Sequence, residues 1–226
     1  MSNPIKPKLK TEIISITAVI ISAISSFYFY KNFPDKVPTH WNIYGEVDGW
    51  GSRGMAAFSI PIIIFAMYIM FLLLPYLDPK KERYEQFSKV YHVFKTVLVV
   101  FMTLIYFATS LFALGYNIPV ATLIPVMIGF LFVLIGNYMS KLKMNWFVGI
   151  KTPWTLSSEE VWNKTHRVGG KLFIFSGVVI AIMSWLPAYL RMPLFMVAIL
   201  LMTVGTFGYS YFLYSKENKI KKHDNN

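Results

Sequence analysis

Residues 55–77, MAAFSIPIIIFAMYIMFLLLPYL, decide the fold. They are 23 consecutive residues without a charge, and a helix of about 20 apolar residues crosses the ~30 Å hydrocarbon core of a bilayer. Similar runs recur along the 226-residue chain, which is 55% hydrophobic and only 15% charged. A soluble domain carries about 25% charge. The chain therefore reads as an all-α, polytopic membrane bundle of six transmembrane helices. Their expected positions are about Glu12–Tyr30, Met55–Leu77, Val93–Gly115, Pro119–Met139, Lys171–Leu190 and Pro193–Tyr214. The first run is too long for a signal-peptide core and no small-residue cleavage site follows it, so it is expected to be a retained span.

The connections carry the charge. Seventeen Lys and Arg fall on the side holding both termini and the second and fourth connections, against four on the other side. Basic residues favour the cytoplasmic side, so both termini are expected there. The net charge of +11 is thus a topology signal with an attraction to anionic lipid, not a nucleic-acid footprint. There is no cysteine, which excludes disulfides and thiol chemistry. The spans hold no acidic or basic residue near their centres; Glu12, Lys95 and Lys171 are expected to reach the interface from helix ends. This counts against an ion-coupled carrier. Small residues, among them Ser15, Ala18, Ser22, Ser25 and Ser26, then Gly129 with Gly136, and Gly205 with Gly208, are expected to allow close helix packing.

Two connections are longer than a turn requires. Gly115–Pro119 and Leu190–Pro193 are expected to be tight outer turns, whereas residues 31–54 outside and 140–170 inside are long. In the outer loop, FPDKVPTHWNIYGEVDGWGSR (33–53), prolines and glycines shape the backbone and Trp41, Tyr44 and Trp50 suit the headgroup level. The plainer reading is a compact cap anchored by aromatic rings; His40, Trp41, Asn42, Gly45, Asp48 and Trp50 are candidates for ligand or peptide binding. His40, Glu46 and Asp48 have metal-binding chemistry without tight ligand spacing, and no metal or other cofactor is expected.

The inner loop ends in TLSSEEVWNKTHRVGG (155–170). Ser157 and Glu160 have the spacing of a capping box, and Gly169 with Gly170 supply a stop, which predicts a short interfacial cytoplasmic helix. Glu159, Trp162 and His166 would share one face, with Asn163 and Arg167 beside them. The plainer reading is an anchor along the headgroups. The functional readings are a docking or ligand-sensing surface built from Asn145, Trp146, Lys151, Trp154, Glu159, Glu160, Trp162, His166 and Arg167, or a Glu–His acid–base site.

Residues 136–170, GNYMSKLKMNWFVGIKTPWTLSSEEVWNKTHRVGG, resemble the signature of the SdpI family of bacterial membrane proteins. Residues 34–53, PDKVPTHWNIYGEVDGWGSR, resemble the uncharacterised module that commonly precedes it. Met144 stands where that family commonly has proline, and Lys151 where it commonly has arginine. The resemblance implies a multi-pass protein of the bacterial cytoplasmic membrane, made of an N-terminal module (1–115) and an SdpI-like module (116–226). It implies toxin immunity and signal transduction, with a secreted peptide toxin met on the outer face. A small helix-turn-helix repressor would be held on the cytoplasmic face, with no direct nucleic-acid contact. Two other classes stand beside it: a membrane enzyme acting on a lipid headgroup or membrane peptide through Glu159 and His166, and a small lipid or solute transporter.

Overall fold

The computed structural model describes residues 5 and 7–224, without the side chains of residues 221–224. Of the basic residues counted above, Lys6 and the side chains of Lys221 and Lys222 lie outside the described residues. Among the described residues, six helical segments are long and apolar enough to cross a membrane. They are α1 (Leu9–Asn32), α2 (Arg53–Leu77), α3 (Tyr84–Ala113, with a 3₁₀ turn at Lys81–Arg83 before it), α4 (Val120–Met139), α6 (Glu159–Met183) and a sixth made of α7 (Ala188–Leu200) and α8 (Thr206–Asp224). A π-helical turn, Leu201–Gly205, joins the last two. The short helix α5 spans Pro153–Ser157. Helices α1, α2 and α3 pack on one another, α6 packs on α4, α7 and α8, and α3 against α4 joins the two groups.

Glycine sets the closest crossing. Gly129 faces Gly177 and Gly136 faces Gly170, two antiparallel pairs seven residues apart on each helix, hence on one face of each. A Cβ on Gly129 would lie 2.3 Å from the Gly177 carbonyl oxygen, and one on Gly136 2.5 Å from that of Gly170. These four positions have no room for a side chain, and without a hydrophobic drive between helices in lipid, such close approach is what van der Waals attraction requires. The expected pairing of Gly129 and Gly136 on one packing face is met. In the sixth span the expectation holds for one glycine of the two: a Cβ on Gly205, in the π turn, would lie 3.4 Å from Leu172 Cδ1 of α6, whereas one on Gly208 would meet nothing within 4 Å. The serine stripe of α1 does face inward, with Ser15, Ala18, Ser22 and Ser26 buried. Ser22 and Ser26 donate to the carbonyls of Val19 and Ala23 in their own helix, which spends their polarity locally.

Three expected boundaries move. The motif helix is not a separate segment closed by Gly169–Gly170: α6 runs unbroken from Glu159 to Met183. Its N-cap is Ser158, whose hydroxyl accepts from Val161 N–H, and the turn containing Ser157 belongs to α5. There Thr152 and Thr155 exchange the two bonds of a capping box. Of the glycines that would stop a helix in water, Gly170 instead forms the α4 crossing and Gly169 makes room for Ile150 of the motif loop, and that tertiary gain keeps the helix continuous. The turn before the sixth span is Ser184–Pro187, with Leu190–Pro193 inside α7. Arg191 fixes it by donating to the carbonyls of Leu186 (3.3 Å) and Ser184 (3.1 Å), groups an α-helix end leaves unpaired.

The fold is also not purely helical. Residues 36–52 form an antiparallel hairpin, β1 (Lys36–Trp41) with β2 (Val47–Ser52). We call its side of the bundle the hairpin face and the opposite side, holding residues 140–158, the motif face.

Candidate functional site

On the motif face, residues 140–152 have little regular structure, and buried side chains replace the missing backbone ladder. Asn145 is fully buried. Its Oδ1 accepts from Phe147 N–H (2.9 Å) and Val148 N–H (2.7 Å), and its Nδ2 donates to the carbonyls of Lys143 and Val148 (both 2.9 Å). All four hydrogen-bonding positions of the amide are thus used. Asp78, at the end of α2, is 2% exposed and accepts from Lys80 N–H (2.7 Å), the Tyr84 hydroxyl and Trp146 N–H (both 2.9 Å). It ties the motif to α2 and α3.

Trp162 and His166 form the floor. Both are fully buried and their rings stack at 4.0 Å. Trp162 Nε1–H donates to the Leu142 carbonyl (2.9 Å). Ile150 N–H donates to His166 Nε2 (2.9 Å), which leaves the imidazole proton on Nδ1, where it meets the Trp162 carbonyl (2.8 Å). Gly149 passes so close, at φ +122°, that a Cβ would lie 2.4 Å from His166 Nε2. His166 is therefore a neutral cross-brace with both nitrogens engaged by backbone.

The other candidates separate. Glu159 is exposed and pairs with Arg83 at 3.1 Å, and Glu160 with Lys164 at 2.5 Å. Neither carboxylate is bonded to His166, so the expected Glu–His pair does not form. Trp154 packs against Phe207 and Tyr211 of α8 (4.7 and 5.0 Å between ring centroids). Lys151 donates to the Phe147 carbonyl (3.0 Å) from an exposed position. Trp146 is 48% exposed, and Arg167 is exposed. Apart from Trp154, which is half-buried against α8, the candidates thus divide into a buried frame (Asn145, Trp162, His166) and an accessible rim (Trp146, Lys151, Glu159, Glu160, Arg167). Ser158 donates to Glu217 (2.7 Å) and Thr152 to Ser210 (3.1 Å), bringing α8 into the same assembly. These partners, like Asp78, carry no local signal in the sequence.

On the hairpin face, Asn42 Oδ1 accepts from the N–H groups of Tyr44 and Glu46, and its Nδ2 donates to Glu46 Oε2 (3.0 Å). Gly45 takes φ +86° at the tip, a conformation that costs glycine little. His40 and Asp48 pair across the strands. With Glu46 committed to Asn42, the three groups do not converge, and among the described residues no cluster of three His, Asp or Glu side chains has metal-binding geometry. Trp41 meets Phe112 edge-on, its indole N–H buried without an acceptor, and Trp50 is exposed. The turn signal was present: a short polar loop with glycine between runs rich in β-formers marks a hairpin.

Glu12 and Lys95 do not reach the interface as expected. They are 4% and 1% exposed and pair directly with each other; Tyr68 donates to Glu12 Oε2 (2.9 Å), and His92 Nδ1 lies 3.4 Å from Glu12 Oε1. The pair joins α1, α2 and α3 from within.

Six apolar spans, a built hairpin face and a framed motif face define a multi-pass helical membrane protein. Residues 141–210 match the SdpI/YfhL protein family, and residues 17–65 match DUF1648, a domain of unknown function. The chain is 26% identical over 211 residues to the immunity protein SdpI of Bacillus subtilis (strain 168), covering 93% of this chain and 99% of that protein. The resemblance to the SdpI family therefore holds across both halves of the chain. No solved structure matches it.

Proposed function

We propose that this chain is an immunity and signalling protein of the bacterial cytoplasmic membrane. The hairpin face lies outside, where it meets a secreted peptide toxin. The motif face and both termini lie in the cytoplasm, where the motif recruits a small repressor. The chain divides into an N-terminal module, 1–115, and an SdpI-like module, 116–226. The observation that carries the proposal is the near end-to-end match to an immunity protein. The division of the motif supports the docking role: a frame with every Asn145 and His166 bond spent inward holds Trp146, Lys151 and Arg167 outward on rigid backbone. Exposed tryptophan and arginine are the residue types that dominate protein interfaces.

The test is expression in a strain sensitive to a secreted peptide toxin. Survival should rise with the intact protein. Trp146→Ala and Arg167→Ala should leave protein abundance unchanged and reduce recruitment of a co-expressed repressor to the membrane. If no peptide toxin tested is tolerated better, the immunity role fails. If both variants recruit normally, the docking surface lies elsewhere.

A further inference from the structure

We propose that the cavity beneath the hairpin binds an acyl chain of a phospholipid from the leaflet on that face. The cavity has a volume of about 450 Å³, within the range of small-molecule sites. The first strand and tip of the hairpin form its roof, and Ile60 of α2, Ile105 of α3, Ile124 of α4 and Met183 of α6 contribute to its walls.

Its depth matches lipid. Ile60 lies seven residues into α2 and Ile105 eight residues from the end of α3. At 1.5 Å per residue these walls descend about 10–12 Å below the helix ends, into the chain region of a ~30 Å hydrocarbon core. The roof is pinned rather than free to collapse. Gly45 presses so closely on α4 that a Cβ would lie 2.1 Å from Ala121 Cβ; Trp41 rests on Phe112; and Arg53 pairs with Asp35 at 2.7 Å at the base of the strands. The walls are mostly apolar with polar groups near the roof, and apolar surface held open favours apolar molecules over water.

The lining also selects against a peptide. No Asp, Glu, Lys or Arg faces the cavity. Thr109 spends its hydroxyl on the Ile105 carbonyl (2.9 Å), Asn42 is committed within the tip and His40 to Asp48, which leaves the Trp41 indole N–H as the buried donor in the lining without an acceptor among the described residues. A peptide backbone would bring amide groups that find few partners, which is costly away from water; an acyl chain brings none. A second apolar cavity, about 290 Å³, lies deeper on the same α3–α4 seam, between Val97–Leu104 and Met127–Leu134.

The experiment uses the full chain in vesicles of phosphatidylcholine containing a small fraction of phosphatidylcholine with a diazirine midway along one acyl chain. Adducts are mapped by mass spectrometry after illumination. The expected result is labelling of Ile60, Ile105 and Ile124 in addition to the outward-facing Ile62, which is 64% exposed. Ser59→Phe, and separately Ile124→Phe, should fill the cavity and remove the inner adducts while Ile62 remains labelled. Labelling confined to outward residues in the unmodified protein overturns the proposal. So does labelling of the cavity by a diazirine fatty acid but not by the phospholipid, or by a diazirine-bearing apolar peptide in its place. The result is independent of the immunity assay, because it needs neither toxin nor repressor.

Discussion

Gly136→Ala isolates the force that joins α4 to α6. The new Cβ would lie 2.5 Å from the Gly170 carbonyl oxygen and 2.9 Å from Ile174 Cγ1. Restoring even a 3.0 Å separation from the oxygen requires the helices to part by about 0.5 Å locally, and overpacking of this kind costs about 1–3 kcal/mol. Alanine also gains about 1 kcal/mol over glycine in helix propensity, which masks part of that cost. Gly208→Ala supplies the control, because a Cβ there meets nothing within 4 Å and gains the same propensity. The difference between the two variants is the packing term alone. For a chain of this size 1 kcal/mol moves Tm by about 2–4 °C, so Gly136→Ala should melt about 2–12 °C below Gly208→Ala. Near-UV circular dichroism in mild detergent reads the transition. A Gly136→Ala protein that melts with or above the Gly208→Ala protein would refute the claim that carbonyl contact holds this crossing.

Lys95→Met should destabilise by about 3–5 kcal/mol because it strands the Glu12 carboxylate; adding Glu12→Gln should restore most of the loss, and a double variant no more stable than the single one would show that the pair is not coupled. His166→Ala leaves Ile150 N–H without its acceptor and should cost at least about 1–3 kcal/mol in thermal unfolding. Glu159→Gln breaks an exposed ion pair and should change stability by no more than about 1 kcal/mol; loss of immunity at normal abundance in that variant would return a chemical role to the carboxylate. Trp162→Phe removes the N–H from the Leu142 carbonyl and leaves a void where the five-membered ring packed, so unfolding should come earlier by at least about 1–3 kcal/mol, and an unchanged midpoint would mean that neither the bond nor the packing contributes.

The spans were readable because twenty apolar residues have few other uses. Their limits were less so where sequence offers two choices. Ser157 and Ser158 both suit an N-cap, and Ser158 prevails because the capping box of Thr152 and Thr155 assigns the preceding turn to α5. Gly169–Gly170 marks a helix stop by local chemistry, yet the Gly136 carbonyl makes it a crossing point. The candidate site divided along the same line. The residue types were identified, but whether each served frame or rim depended on distant partners. Asp78 bonds Trp146 across 68 positions and Lys95 bonds Glu12 across 83, and no periodicity in either segment encodes the other.

The unbroken path of α6 carries a consequence for how the motif can act. Trp162 and His166 sit on the same rod that later passes Gly136 and Gly129, and no hinge lies between them. At 1.5 Å per residue, the 25 residues form a lever about 37 Å long. A force applied at the motif therefore acts on a helix that packs on α4, α7 and α8, and a tilt of α6 moves the motif with it. The motif has no separate existence as a tethered peptide: cut from its span, it would lose the surface against which it is folded.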